Sequence, residues 1–426
     1  MATPFEFFPE KLVYGGEALG HYRGQTVLVP RVLPGERVEA EPVRKAKGVL
    51  HARPVSILAP AAERVAAPCP YFGGCGGCHY QHFSAERHTA VKTEILRETL
   101  RRLGKITWDG EIPAHAADPW HYRNQAQFKV ACRADGTVEI GFFEAESHRV
   151  VSVDACLILS PRLNAILGEL RREPWSPALS SCREIEVLAD DQDERVALLL
   201  RGGFEPEQGE GLAKVAREKL PGVVSVTIEN HGKASVFGEE SLLYRVGEFQ
   251  YQVSPTSFFQ SSRFLLPELV AAATRGDAGS IALDLFCGGG LFTLPLAQGF
   301  AQVVGVEAHP RSSADLAANV RRCGLTNVRA VAETAFDFLR RWAQVEPDLV
   351  VLDPPRAGVG LPVLKLLVGL RPRVLHYLSC SPPTLARDLG YLVQQGYRMI
   401  SVELFDLFPQ TYHVESLVRL ARSDLV

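Results

Sequence analysis

The chain opens with short β-rich runs broken by turns. KLVYGGEALGHYRG, QTVLVPRVLPGERVEAEPV and KGVLHARPVSIL fill residues 1 to about 60, punctuated by Gly15-Gly16, Gly20, Gly24 and Pro34-Gly35. This pattern predicts a small closed or half-open β-barrel of about five strands. Cysteine-rich turns occupy 69–78, and a helical pattern follows over about 84–104. From about 106 to 250 the runs YRNQAQFKVAC, TVEIGFF, HRVVSV, EIEVLAD, VALLLRG and VVSVTIEN read as strands with few helices, an α+β region. Residues 281–422 change character. There IALDLF, VVGVE, NVRAV, DLVVLD, RVLHYLSC, RMISVELF and VESLVRLA alternate with helix-length segments. That alternation predicts an α/β unit with a parallel doubly wound sheet, leaving room for an antiparallel hairpin in the last two strands. The expected division is 1–60, 61–250 and 251–426.

Composition narrows the function classes. The chain has 426 residues, 46% hydrophobic and 22% charged, enough for two or three domains with real cores. No run approaches the roughly 18 apolar residues of a membrane helix. The start lacks a basic region followed by an apolar one, so a cytoplasmic protein is expected. A net charge of -3 averages 46 basic and 49 acidic residues, so any nucleic-acid surface must be local. Arg44, Lys45, Lys47 and Arg53 form one such stretch, readable as a phosphate-facing patch or as a solvated strand face. Nine cysteines, an odd number, fit metal ligation or catalysis better than a disulfide framework.

The run IALDLFCGGGLFTLPLA reads as strand, glycine turn and helix, and Glu307 ends the next strand 23 residues after Asp284. Ligands in such sheets lie beyond the carboxyl ends of the strands, which gathers Asp284, Phe286, Gly288 and Glu307 at one crevice. Glu307 is placed to hydrogen-bond two ribose hydroxyls. Gly288-x-Gly290 resembles the start of a dinucleotide fingerprint, but Thr293 stands where a third small residue is wanted, and the Asp284 carboxylate would repel a pyrophosphate. A carboxylate suits the cationic amino or sulfonium group of S-adenosyl-L-methionine (AdoMet).

Three further runs end strands of this sheet: LDPPRAG at 352–358, LSCSPPTLARD at 378–388 and LFDLFPQTYHVES at 404–416. Cys380 then points at the crevice near a helix N-terminus, which predicts a lowered thiol pKa. A lone cysteine is more commonly inert core, but here Glu415 offers a base, His413 lies close to it, and Asp353 can hold a polar group of the base or cofactor.

Over nearly its whole length the sequence resembles the class I AdoMet-dependent RNA uracil-C5 methyltransferases, specifically members with a TRAM barrel and an iron–sulfur cluster. The family's nucleophile motif appears as Ser379-Cys380-Ser381-Pro382, with DPPRAG at 353–358, FPQT at 408–411 and HVE at 413–415. Gln260 in FFQ, Phe286, Glu307 and Asp353 match its cofactor motifs. The resemblance implies a Rossmann-like methyltransferase domain behind a TRAM/OB-like barrel that binds RNA. It also implies a mechanism. Cys380 attacks carbon 6 of uracil, the electron-rich carbon 5 takes the methyl group of AdoMet, and Glu415 removes the carbon 5 proton so that the thiolate can leave. The base must leave its stack, so Phe258 or Phe408 is expected to hold it, with core packing as the alternative. Among relatives with barrel and cluster, 23S ribosomal RNA is the commonest substrate, with tRNA the alternative.

Cys69-x5-Cys75-Gly-Gly-Cys78 is a tight metal turn eased by Gly73, Gly74, Gly76 and Gly77. Spacing alone allows zinc, disulfides or a cluster. The resemblance implies [4Fe–4S] with Cys156 as fourth ligand, structural or RNA-facing in role, and His79 and His82 facing solvent or RNA rather than metal. Ser261-Ser262, Ser381 and Leu291 depart from the family pattern and bear on cofactor or uracil orientation. Two other classes are kept: a non-catalytic RNA-binding or chaperone protein, and an NAD-dependent oxidoreductase.

Overall fold

The computed structural model describes residues 3–172, 175, 179–342 and 346–425. Its first sheet holds β1 (Phe5–Phe7), β2 (Lys11–Leu12), β3 (Glu17–Tyr22), β4 (Gln25–Pro30), β5 (Arg37–Ala46) and β6 (Val49–Ala59) in the order β1-β5-β6-β4-β3-β2. Pro9, which has no N–H to give a ladder, separates β1 from β2. Gly20 lets the edge strand cross closely: a Cβ there would sit 2.5 Å from Phe8 O and 2.7 Å from the Phe7 ring. The sheet therefore curls back on itself.

After helix α1 (His88–Leu103) comes the two-residue strand β7 (Ala114–His115). The middle region is a seven-stranded sheet, β8 (Gln125–Cys132), β9 (Val138–Phe143), β10 (Val150–Ser152), β11 (Cys182–Ala189), β12 (Val196–Gly202), β13 (Val223–Asn230) and β14 (Lys233–Gly238). Its order is β10-β9-β8-β11-β12-β13-β14, and only β12 and β13 run parallel. Two helices cover it: α2 (Pro161–Leu170), capped by Ser160 Oγ accepting from Leu163 N at 3.3 Å, and α3 (Pro206–Lys219). The hairpin β15 (Leu242–Val246) and β16 (Phe249–Val253) leads onward.

The last sheet contains β17 (Gly279–Leu285), β18 (Phe300–Val306), β19 (Val328–Val331), β20 (Leu349–Leu352), β21 (Val374–Ser379), β22 (Tyr397–Phe405) and β23 (Glu415–Arg422). Its order is β19-β18-β17-β20-β21-β23-β22-β7. The first five strands are parallel, and β23 lies antiparallel between β21 and β22. Helices α4 (Leu266–Thr274), α5 (Thr293–Leu296), α6 (Pro310–Arg322), α7 (Ala335–Arg341), α8 (Leu361–Gly369) and α9 (Pro382–Gln394) pack around it. Both faces are covered, so neighbouring residues on one strand enter different cores: Leu283 and Val350 on one side, Ala282 and Val351 on the other.

Helix α1 belongs to this packing. Leu96 and Leu100 share the core of Leu385 and Leu389 on α9, and the Gly104 backbone lies against Ala386 and Gly390. Lys92 of the same helix is fully buried and donates to Asp406 Oδ1 at 2.6 Å and Phe408 O at 3.0 Å. Burial pulls its pKa down, and Asp406 opposes that shift. Removing one partner strands the other charge. Lys92→Met is expected to lose about 3–5 kcal/mol in urea unfolding, and Lys92→Met with Asp406→Leu to recover most of it.

Candidate active site

Sheet order explains which side chains meet. The strands β18, β17, β20, β21 and β23 are consecutive neighbours. Glu307 follows β18, Asp284 and Phe286 lie at the end of β17, Asp353 follows β20, and Cys380 follows β21. The antiparallel β23 begins with Glu415, and the pairing Ser379↔Ser416 carried one step further sets Cys380 opposite Glu415. Thiol, base and the Asp353 carboxyl thus sit on three adjacent strand ends.

The crevice is hostile to charge. Burial pushes Cys380 up to about 11, with Glu415 and Asp353 adding to the rise and Arg356 opposing it. The lowered thiol pKa expected from the helix N-terminus is therefore not found in the protein without ligands. Ser381, the residue before α9, sits between thiol and helix and makes no side-chain cap, and desolvation with two carboxyls sets the direction of the shift. Burial likewise lifts Asp353 to about 7 and Glu415 well above the usual range, with Asp353 adding to the rise of Glu415 and Arg356 opposing it. His413 is held neutral, at about 3, by burial and Arg356, whose Nη2 lies 3.5 Å from its Nε2.

Around the glycine turn, Phe286 adopts φ 64 and Gly288 φ 54, a left-handed pair that folds the chain back over β17. Glu307 accepts from Gly288 N at 2.9 Å and from His309 N at 2.6 Å. Asp284 lies buried beneath the turn, accepting from Thr293 Oγ1 at 2.6 Å, while its Oδ1 has no partner among the described residues. Burial raises it to about 7. Thr293, which spoiled the dinucleotide fingerprint, is the residue that holds this carboxyl.

Gln260 is buried at the end of a loop pinned from α6: Asp315 accepts from Ser254 N at 3.0 Å, Ser254 Oγ at 2.6 Å and Ser257 Oγ at 2.5 Å. Phe258 on that loop is 69% exposed, so it is not core, whereas Phe408 is partly buried with its ring 6.1 Å from that of His413. The departures from the family pattern are anchored locally. Ser261 O accepts from Asn124 N, Ser381 N donates to Ser379 Oγ at 3.1 Å, and Leu291 O accepts from the Tyr251 hydroxyl at 2.9 Å.

Cys69, Cys75, Cys78 and Cys156 are all free thiols and line one cavity of about 190 Å³ with Tyr71, Phe72 and Phe143. Among the described residues no group of three His, Cys, Asp or Glu side chains is arranged to hold a single metal ion. Burial raises Cys78 to about 12 and Cys156 to about 11. Gly73 turns at φ 92, and Gly76 packs on the backbone of Phe143 and Ala145.

His82 does not face solvent, and His79 is half-buried. His82 is 3% exposed and stacks on Phe72, and His79 packs against Tyr412. The cysteine turn folds under the loop 406–414, and His79 N and Tyr80 N both donate to Gln410 O, at 2.7 and 3.0 Å. On the basic stretch Arg53 is paired with Glu41 and Arg44 lies 3.7 Å from Glu146, while Lys45 and Lys47 are exposed.

Residues 88–423 match the tRNA (uracil-5-)-methyltransferase family. The chain belongs to that family. An RNA methyltransferase of Aquifex aeolicus is 34% identical over 99% of both chains. A 23S rRNA (uracil(1939)-C(5))-methyltransferase, RlmD, of Alkalilimnicola ehrlichii is 33% identical over 98% of this chain and 97% of its own. The fold is that of the tRNA (uracil-54, C5)-methyltransferase of Pyrococcus abyssi, whose crystal structure holds S-adenosyl-L-homocysteine: TM-score 0.75, 23% identity, 98% of this chain and 100% of that one. As a family member the protein is an AdoMet-dependent RNA (uracil-5-)-methyltransferase. No helix among the described residues is long and apolar enough to cross a membrane.

Two residues of this site escaped the sequence reading as individuals: Arg356 and Asp315. Arg356 had a signal, the arginine of DPPRAG. Asp315 acts through contacts across the fold, with Ser254 and Ser257. Asp284 yields a pH test. Its folded pKa is raised above the unfolded value, so it contributes stability that is present at low pH and lost as pH rises from about 4 to about 7. Asp284→Asn should therefore gain about 2 kcal/mol relative to the parent between pH 5.5 and pH 8 in thermal unfolding without AdoMet; no differential gain would contradict the burial assigned to this carboxyl.

Proposed function

We propose that the protein methylates carbon 5 of a uridine in 23S rRNA through a covalent adduct on Cys380, with Glu415 as base. The observation that supports this most is the β21–β23 register, which sets a thiol and a carboxyl opposite each other beside Asp353. Cys380 Sγ adds to carbon 6, making carbon 5 nucleophilic enough to displace the sulfonium methyl group and release S-adenosyl-L-homocysteine. Glu415 then takes the carbon 5 proton, the carbon 5–carbon 6 double bond re-forms, and the thiolate leaves. Arg356 favours the ionised forms of both Cys380 and Glu415. AdoMet is held by Gln260, Phe286, Gly288, Glu307 and Asp353, with Asp284 supporting the turn from below and drawn to the cationic end of the ligand. The 23S assignment rests on the 33% identical relative of that name; tRNA is the second reading, favoured by the family's name.

We further propose the three-part division, with residues 1–60 as a TRAM-like RNA-binding barrel and the catalytic part from 251 onward. The cysteine cavity, several times the ~30 Å³ of one water, fits a polyatomic group better than one ion. A [4Fe–4S] cluster on Cys69, Cys75, Cys78 and Cys156 would draw four half-buried thiols into thiolates and tie the turn to the middle domain. Protein purified without oxygen should carry about four irons, and Cys156→Ala should lose them along with the visible absorbance.

Incubation with labelled AdoMet and either unmodified 23S rRNA or tRNA, followed by nuclease digestion and mass spectrometry, tests the reading. Product on 23S rRNA alone is expected. Product on tRNA alone moves the substrate, and absence of 5-methyluridine from both refutes the assignment. Cys380→Ala should abolish transfer. Glu415→Gln should stall after methylation and accumulate a protein–RNA species stable to denaturing electrophoresis, since the proton that must leave has no acceptor.

A further inference from the structure

Tyr14 belongs to the turn between β2 and β3 of the N-terminal sheet, yet its hydroxyl donates to Cys380 O at 3.3 Å. Its ring meets Tyr412 edge-on with centroids 5.3 Å apart, and Tyr412 in turn contacts His79 at 4.6 Å and His413 at 4.4 Å. Gly16 permits this approach. It has φ +88, and a Cβ there would lie 3.1 Å from His79 Cβ and 3.2 Å from Tyr412 Cδ1. The turn is thus wedged between the cysteine loop and the loop 406–414. Burial, with Tyr412 adding to it, pushes the Tyr14 hydroxyl up to about 12, so it stays a neutral donor.

What the hydroxyl holds is the peptide immediately after the nucleophile. On the other side of that peptide, Ser381 N donates to Ser379 Oγ at 3.1 Å. The Ser381 side chain makes no capping bond to α9, and its backbone is extended at φ -136 and ψ 94, so the helix does not fix this link by capping. Rotating the peptide plane swings the Cα–Cβ bond of Cys380 and with it Sγ. Addition to a ring carbon tolerates little misdirection.

We infer that Tyr14 is a positioning residue for the nucleophile: it fixes the Cys380–Ser381 peptide, and through it the direction of Sγ toward the uracil ring. The inference rests on the covalent mechanism proposed above. It also makes the N-terminal sheet a part of the catalytic centre, because a shift of that sheet on RNA is felt at Cys380.

The test uses the full chain and 23S rRNA transcribed with 5-fluorouridine. Fluorine at carbon 5 cannot leave as a proton, so the adduct is retained and its rate of formation can be read directly. Tyr14→Phe keeps the ring packing and removes only the hydroxyl. At saturating RNA it should form adduct about fivefold more slowly, with kcat on ordinary RNA falling alike and KM for RNA and AdoMet unchanged. Ser379→Ala, which frees the other side of the same peptide, should slow adduct formation in the same way. Adduct formation at the parental rate in Tyr14→Phe overturns the inference, as does a rise in KM with kcat intact, which would make Tyr14 an RNA contact. If the parent makes 5-methyluridine but never forms an adduct, the covalent reading falls and takes this inference with it.

Discussion

One reversed strand brings Glu415 to Cys380. Were β23 parallel to its neighbour, as the first five strands of the sheet are, its carboxyl end would reach the crevice and Glu415 would lie at the opposite edge. Antiparallel insertion brings its first residue to where every other strand ends. Strand pairing fixes this to within the pleat, because a slip by one residue would turn Glu415 to the other face. The geometry of thiol against base is thus carried by backbone hydrogen bonds, the stiffest part of the fold, and the connecting loop 406–414 is tied down to match.

The same crevice collects Asp353, Cys380 and Glu415 out of water with Arg356 as the nearby cation, and Asp284 is buried beneath the glycine turn. Burial shifts all four of these groups toward their protonated, neutral forms. A sulfonium ligand carries the missing positive charge, so cofactor binding and ionisation of the carboxyls favour each other. The raised pKa keeps the Cys380 thiol mostly protonated, its less reactive form.

Much of this was legible in the chain itself. The alternation over 281–422 announced the doubly wound sheet, and strand-end logic gathered Asp284, Glu307, Asp353, Cys380 and Glu415 before any coordinates. What escaped was tertiary. β1 is only three residues long, and β7 only two. Neither can show a period, and β7 owes its existence to the free edge of β22. The expected low thiol pKa failed because desolvation depends on neighbours from three strands, which local spacing cannot report. His79 and His82 read as surface residues because nothing near them in sequence reveals that the turn folds under Gln410. Tyr14 carried no signal at all, being 366 positions from its partner.

The bonds from His79 N and Tyr80 N to Gln410 O join positions from the first and last fifths of the chain. During synthesis the first of these segments is made long before the second, and contacts of such separation form last. Gln410 is itself held in a left-handed conformation, φ 65, that a non-glycine residue adopts readily only when its surroundings impose it. Cys380 and Glu415 therefore meet only after β23 has been made and has slid between two strands that precede it in the chain. A chain that stops short of β23 has Cys380 without Glu415 opposite it.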